Sequence, residues 1–356
     1  MLMQNFRKYP GNRMRSILMA IILLFCSGVY ADHQLPAESW TFTFRFENDL
    51  FAGTDRHYTN GIKLSWISPD LSSFRDSDKL PEWGKRIVNH LPYSQVEGLQ
   101  RNIVFSIGQN MYTPADIDRR DLISDDRPYA GWLYGSASFH NKDYRHLDTM
   151  EIHAGLVGPW SLAEGSQDLV HELRGIDAAQ GWDNQIENEP GLVFIYEHKD
   201  RVITPLSLSG FGFDAITHYG GALGNVFTYA DAGVEMRLGW NLPTDFGTSL
   251  IRPGGETNAP AATQDPRYQQ SGHGFSLHAF SAVSGRMVFR DIFLDGNTFR
   301  DSHSVDKEFL VGDLALGISL IVDSFKLSYA QVFRTREFEG QDDFQKFGSI
   351  SISYTY

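Results

Sequence analysis

The sequence predicts an all-β fold: a twelve-stranded antiparallel transmembrane β-barrel with a short helix on an extracellular loop. Three observations predict it. Apolar and polar residues alternate with a period of two in one segment after another, the pattern of strands with two unlike faces. The faces opposite the apolar ones carry Ser, Thr, Gly, His and charged residues, which suits a polar lumen better than the apolar interior of a soluble β-sandwich. Aromatic residues reach 13% and glycines number 33, although mean hydropathy is only −0.30.

The elements follow in order. Arg7, Lys8, Arg13 and Arg15 precede the apolar run Ile17–Phe25, and small residues follow in "VYA". This is the pattern of a secretory signal, with cleavage expected after Ala31. Residues 32–356 then form one barrel domain. "WTFTFRF" sets Trp40, Phe42, Phe44 and Phe46 against Thr41, Thr43 and Arg45. "GIKLSW" sets Ile62, Leu64 and Trp66 against Lys63 and Ser65. In all, strands are predicted near 40–48, 58–67, 101–111, 128–140, 147–157, 191–199, 206–219, 226–240, 274–295, 308–321, 324–335 and 345–356. The ninth is kept whole because bacterial single-chain barrels have even strand numbers. The chain ends "SISISYTY", and a terminal aromatic on an alternating last strand is similar to the recognition signal of bacterial outer-membrane barrels.

With the amino terminus in the periplasm, the connections 49–57, 112–127 and 158–190 face outside. Two periplasmic connections, 68–100 and 241–273, are longer than such turns usually are. The second reads as flexible from its Gly, Pro and Asn content.

Composition removes several function classes. The chain has a formal charge of −13, more negative still without its basic leader, which argues against a nucleic-acid partner. The single cysteine, Cys26, lies in the leader, so the rest of the chain offers neither disulfide nor thiolate metal site. No "GxSxG" elbow and no glycine-rich nucleotide loop occurs.

Four groups of residues have chemistry to offer. In "FENDLFAGTDRHYTNG", Asp49 and Asn48, with Glu47 beside them, supply oxygen ligands for a hard cation such as Ca²⁺, or simply cap a turn. By parity Asn48 continues the face of Phe42, Phe44 and Phe46, which faces lipid in a barrel. Such a position suits a polar residue only at the membrane edge, against a partner. Thr59 either orients a substrate or reflects strand propensity. In the outer loop 158–190, "SLAE" reads as a capping box of Ser161 and Glu164 that starts a short helix. Leu162, Leu169, Val170, Leu173 and Ile176 give that helix an apolar side, to rest on the barrel wall or the lipid interface. Gln167 and His171, four apart, share one face. His171 is a candidate base, with an unperturbed pKa of about 6.5, or a satisfied interfacial histidine. Arg119 and Arg120 either hold a phosphate or pair with Asp116, Asp118 and Asp121.

Together, "ENDLF…TDRHYTNG", "MYTP…DDRPYAGWLYG" and "VGPWSLAEGSQDLVHELRG…GWDNQIENEPG" resemble the outer-membrane lipid A 3′-O-deacylase family, in order and across nearly the whole mature chain. The resemblance implies a twelve-stranded barrel with an active site between its outer wall and a helix of an extracellular loop. It implies Ca²⁺ as cofactor and hydrolysis of an ester-linked acyloxyacyl chain of lipid A, the anchor of lipopolysaccharide, in the outer leaflet. The expected form is a monomer among membrane lipids. The family's Asn-Asp pair falls on Asn48 and Asp49, its threonine on Thr59, and its helical glutamine and histidine on Gln167 and His171. Its basic pair falls on Arg119 and Arg120, where a Lys can hold the first position. Its acidic residue six after the histidine, implied as a metal ligand, falls on Asp177, where Glu is also found; the shorter side chain reaches about one methylene less. A phospholipid esterase and a non-enzymatic pore are the competing readings.

Overall fold

The computed structural model describes residues 39–49, 57–71, 82, 85, 99–203, 210–248, 250–252, 254–262, 264–268 and 274–356. The expected leader, 1–31, and most of the 68–100 connection lie outside them.

Twelve antiparallel strands close into a barrel. They are β1 (Thr41–Asn48), β2 (His57–Ile67), β3 (Gln100–Thr113), β4 (Ala130–Lys142), β5 (His146–Val157), β6 (Glu189–Ile203), β7 (Phe211–Gly224), β8 (Phe227–Trp240), β9 (Phe275–Asp291), β10 (Leu310–Val322), β11 (Phe325–Arg334) and β12 (Gln345–Thr355). Each pairs with its neighbours in sequence, and β1 pairs with β12 from Thr41↔Thr355 to Asn48↔Gly348. That last pairing leaves no free strand edge, the condition for a sheet to cross a membrane. The ninth strand is a single strand as expected. It stops at Asp291, where that side chain accepts from the Phe293 N–H and caps a four-residue helix, Ile292–Asp295. The seventh reaches Gly224, five residues beyond the expected end, because Gly220 and Gly224 lie flat against the β6 backbone where a Cβ would collide with carbonyl oxygens.

Alternation sorts the side chains as predicted. Phe105, Ile107, Leu192, Phe194, Leu238, Leu277, Leu316 and Ile318 are exposed on the outer wall. Thr41, Thr43, Arg45, Lys63, Ser65, Glu151, Arg237, Ser319 and Lys326 are buried in the lumen. At the periplasmic end Trp66 meets Phe42, and Tyr354 stacks between Phe325 and Tyr356. These rings form an interfacial girdle.

The lumen is filled. At the outer end Tyr58, Tyr112, Trp132, Tyr134, Phe293 and Phe347 belong to one buried cluster. At the periplasmic end the described parts of the 241–273 connection fold back inside, which corrects the expectation of a flexible loop. Its carboxylates meet cations that the wall supplies. Asp245 accepts from Arg237 of β8 (2.7 Å), from Lys326 of β11 (2.7 Å) and from Arg267 of the plug itself (2.9 Å). Glu256 pairs with Arg45 of β1, and Arg252 with Glu197 of β6. Backbone donors contribute too: Ile251 N–H to Glu47 and Gly254 N–H to Glu151, both 2.7 Å. A lumenal cavity bordered by Tyr134, Tyr229 and Arg252 measures about 50 Å³. That is space for one or two waters.

Burial alone would raise the Asp245 carboxyl, but Lys326, Arg267 and Arg237 outweigh it and hold the group far below its ordinary value of 3.8. A depressed carboxylate contributes stability above its unfolded-state pKa and loses it only as pH falls through the folded one. The anchor therefore persists through mild acid. Asp245→Ala leaves three buried cations without their shared partner, at a cost of about 3–5 kcal/mol. Planar-bilayer recording should show a silent wild type and ion-conducting openings for the variant.

Candidate active site

The helix predicted on the 158–190 loop is present as α1, Ala163–Arg174. Its start differs from the expected capping box. The residue before the helix is Leu162, in a left-handed conformation (φ 59°), with no side-chain cap. Ser161 is drawn away because its hydroxyl donates to the Gly158 carbonyl at 2.6 Å. The helix ends at Gly175, whose φ of 67° suits a residue without a side chain.

The faces of α1 settle what it rests on. Ala163, Gln167 and His171, spaced by four, are buried, while Leu162 and Leu169 are 65% and 57% exposed. Leu162 and Leu169 therefore turn away from the barrel, together with the exposed Glu164, Asp168 and Glu172, and the stripe with Gln167 and His171 turns towards it. For a helix lying between a barrel wall and lipid, exposed Leu beside acyl chains costs nothing. Ala163 packs with Met111 of β3, Tyr129 and Trp182. Gly131 of β4 permits the close approach: a Cβ there would stand 2.0 Å from Ser161 Oγ and 2.4 Å from Ala163 Cβ. Gln109 of β3 adds a bond from Nε2 to the Ser161 carbonyl at 2.6 Å.

Beneath and beside the helix, the outer ends of β1–β3 present polar residues that are nonetheless buried. Asn48, Thr59, Asn60 and Thr113 are at most 4% exposed, and Asp49 is fully buried. A β-bulge between Tyr58 and Asn60 admits Thr59 as an extra residue. Asn48 Nδ2 donates to the Thr59 carbonyl at 2.9 Å, and the Thr59 and Thr113 hydroxyls are 2.7 Å apart. Thr113 and Met111 share the outer face of β3, and Met111 contacts the cluster that holds α1. Hydrogen bonds thus link Asn48 to Thr59 and Thr59 to Thr113, which stands two residues from Met111 on β3. The neighbouring Glu47 is on the other side of the wall. It accepts from Tyr58, Ser349 and the Ile251 N–H in the lumen, which corrects its grouping with Asn48 and Asp49.

His171 Nδ1 lies 2.7 Å from the Asp177 carbonyl oxygen. A carbonyl only accepts, so Nδ1 carries a proton, and in a neutral ring Nε2 is then the basic nitrogen. Asp177 contributes this carbonyl and is itself exposed. Arg119 and Arg120 are exposed on the neighbouring loop. Arg120 donates to Gln180 Oε1 at 3.0 Å rather than to the nearby aspartates, and Asn184 Nδ2 donates to the Arg120 carbonyl. These bonds fasten the 114–129 loop to the loop that carries α1.

For a cation, the residues whose chemistry suits one are Asp49, with a buried carboxylate, and Asn48, with its Oδ1; the bond to the Thr59 carbonyl is made by Nδ2. That chemistry fits a hard divalent ion. A separate cluster, Glu197, His218 and Asp231, lies in the lumen. Arg252 already pairs with its two carboxylates.

The sequence model of the family described as outer membrane protein LpxR matches residues 17–356. The chain belongs to that family. Membership, with the closed barrel, places the protein in the outer membrane and supports a lipid A deacylase. Among solved structures, LpxR from Salmonella typhimurium aligns with a TM-score of 0.70 at 16% identity, over 89% of this chain and all of that one. This shows a shared fold. The β-domain of the Bordetella autotransporter BrkA (TM-score 0.39, 8% identity, 89% of this chain and 98% of that one) is less alike. A comparison with curated protein sequences finds no match.

Sequence reasoning missed Thr113, Gly131 and Trp182, although all three stand in the motifs quoted above. Only their partners across the fold reveal them. Gly131→Val should lift the start of α1 from the wall. Limited proteolysis should then cut the 158–188 loop faster while the barrel keeps its heat-modifiable gel mobility. Gly135→Ala, on the same strand, meets only one carbonyl at 3.9 Å and should change neither.

Proposed function

We propose that this protein hydrolyses an ester-linked acyl chain of lipid A, the 3′-acyloxyacyl unit, in the outer leaflet, with Ca²⁺ as cofactor and a histidine-activated water as nucleophile. One observation supports the reading: the polar residues Asn48 and Thr59 are buried at the outer end of the wall, Asp49 is buried next to Asn48, and Gln167 and His171 are buried on the face of α1 that turns towards the barrel. A substrate reaching them comes from the membrane, and a filled lumen argues against a pore.

His171 Nε2 takes a proton from water as the water oxygen bonds to the ester carbonyl carbon. Collapse of the tetrahedral intermediate breaks the bond to the sugar oxygen, and the histidine returns the proton to that oxygen. The products are a carboxylic acid and a free hydroxyl, with no acyl-enzyme. Asp49 and Asn48 would hold the cation, which when bound polarises the carbonyl and offsets the charge that develops on its oxygen. Thr59, fixed by Thr113, and Gln167 orient water or substrate. Arg119 and Arg120, at the rim, bind a lipid A phosphate. Asp177 acts through its carbonyl by holding the His171 tautomer.

With purified protein and lipid A in detergent, His171→Ala and Asp49→Ala should each lower fatty-acid release by about 10²–10⁴-fold. EDTA should abolish wild-type release, and added Ca²⁺ should restore it. Full activity in both variants would overturn the assignment. Release from phospholipid but not from lipid A would redirect it to another lipid ester.

A further inference from the structure

Trp182 is buried in the cluster that seats α1, its ring 4.9 Å from that of Tyr129. Its indole Nε1–H donates to Gln167 Oε1 at 2.7 Å. An indole N–H only donates, so it can meet the amide oxygen of Gln167 but not the amide nitrogen. The bond therefore decides which way the amide faces. With Oε1 held, Nε2 is directed elsewhere, and it is buried with no hydrogen-bond partner among the described residues. A buried amide donor left unpaired is costly, and this one lies on the helix stripe of His171, where an arriving acceptor would satisfy it. Gln167 is four residues from His171 on the same buried helical stripe.

We propose that Trp182 is a positioning residue. It orients Gln167 so that the amide N–H₂ serves as a hydrogen-bond donor to the reacting carbonyl oxygen, rather than as an acceptor for the attacking water. This rests on the hydrolytic reading above and gives Gln167 one chemical role. The donor strengthens as the carbonyl oxygen gains negative charge, so its effect falls on kcat rather than on KM.

The test is a kinetic cycle on the purified full chain with lipid A, comparing wild type, Trp182→Phe, Gln167→Ala and the double variant. Phenylalanine keeps a ring against Tyr129 and removes the N–H together with the five-membered ring that carries it; the double variant separates loss of the bond from loss of packing. The expected results are a kcat about 10-fold lower for Trp182→Phe, with KM nearly unchanged, and a larger fall for Gln167→Ala, on the order of 10²-fold. The double variant should be no slower than Gln167→Ala, because the tryptophan acts through the glutamine. Gln167→Glu should be as slow as Gln167→Ala, since an ionised carboxylate accepts from the indole but cannot donate. Undiminished kcat in Trp182→Phe would overturn the proposal. So would a tryptophan effect that persists in full without Gln167, which is the mark of a merely structural ring.

A second readout does not depend on activity. The ultraviolet resonance Raman band of the indole N–H, isolated by subtracting the Trp182→Phe spectrum, should shift to a weaker hydrogen bond in Gln167→Ala. An unshifted band would refute the bond itself. A wild type inert towards lipid A but with the shifted band would instead defeat the hydrolytic reading, and the catalytic role of Gln167 with it.

Discussion

Pairing of β1 with β12 closes the sheet, and closure decides on which side of the wall every side chain stands. In an open sheet the two faces of "FRFEND" would both meet solvent or a second layer. In the barrel, Arg45 and Glu47 enter a lumen while Phe44, Phe46 and Asn48 face out. The same alternation therefore builds two unlike interiors, one inside the cylinder and one under α1. Neither can be altered by a register slip without exchanging its residues with the other.

The two interiors are organised by different physics. Inside, the barrel buries many charges and compensates them with one another, through a plug whose carboxylates meet cations from β1, β8 and β11. Such networks hold a conformation more than they add net stability. Outside, a small patch keeps polar groups dry by covering them with a helix. Small residues set the clearance there: Gly131 and Ala163 let backbone approach backbone, and Ser161 satisfies its hydroxyl locally. The helix must stay close enough to exclude water and yet admit a lipid ester. On the proposed reading, the exposed Leu162 and Leu169 would lie among the chains that the site receives.

Much of this was legible in the sequence because strand periodicity is local. Twelve strands, their faces and the outward position of Asn48 follow from parity alone. The helix was legible from Gln167 and His171 at i and i+4, but its orientation was not. The sequence left both the barrel wall and the lipid interface open for the side with Leu162 and Leu169, and in the fold these two turn away from the wall. The plug was illegible for another reason. "TNAPAATQDP" has loop composition, and its order comes from partners as distant as Arg45, 211 residues from Glu256. The capping box failed through a competing local bond, that of Ser161 to Gly158. The acidic residue at 177 was read for its side chain, whereas the histidine uses its carbonyl.

The central claim is that chemistry is done on the outer side of the wall, and two adjacent residues test it most directly. Glu47 and Asn48 differ by one position and stand on opposite faces. Mass spectrometry of lipid A from cells expressing Asn48→Ala or Glu47→Gln, each checked for a folded barrel, separates the two faces. The account predicts fully acylated lipid A with Asn48→Ala and loss of one acyloxyacyl unit with Glu47→Gln. The reverse pattern, or loss of that unit in both, would contradict it.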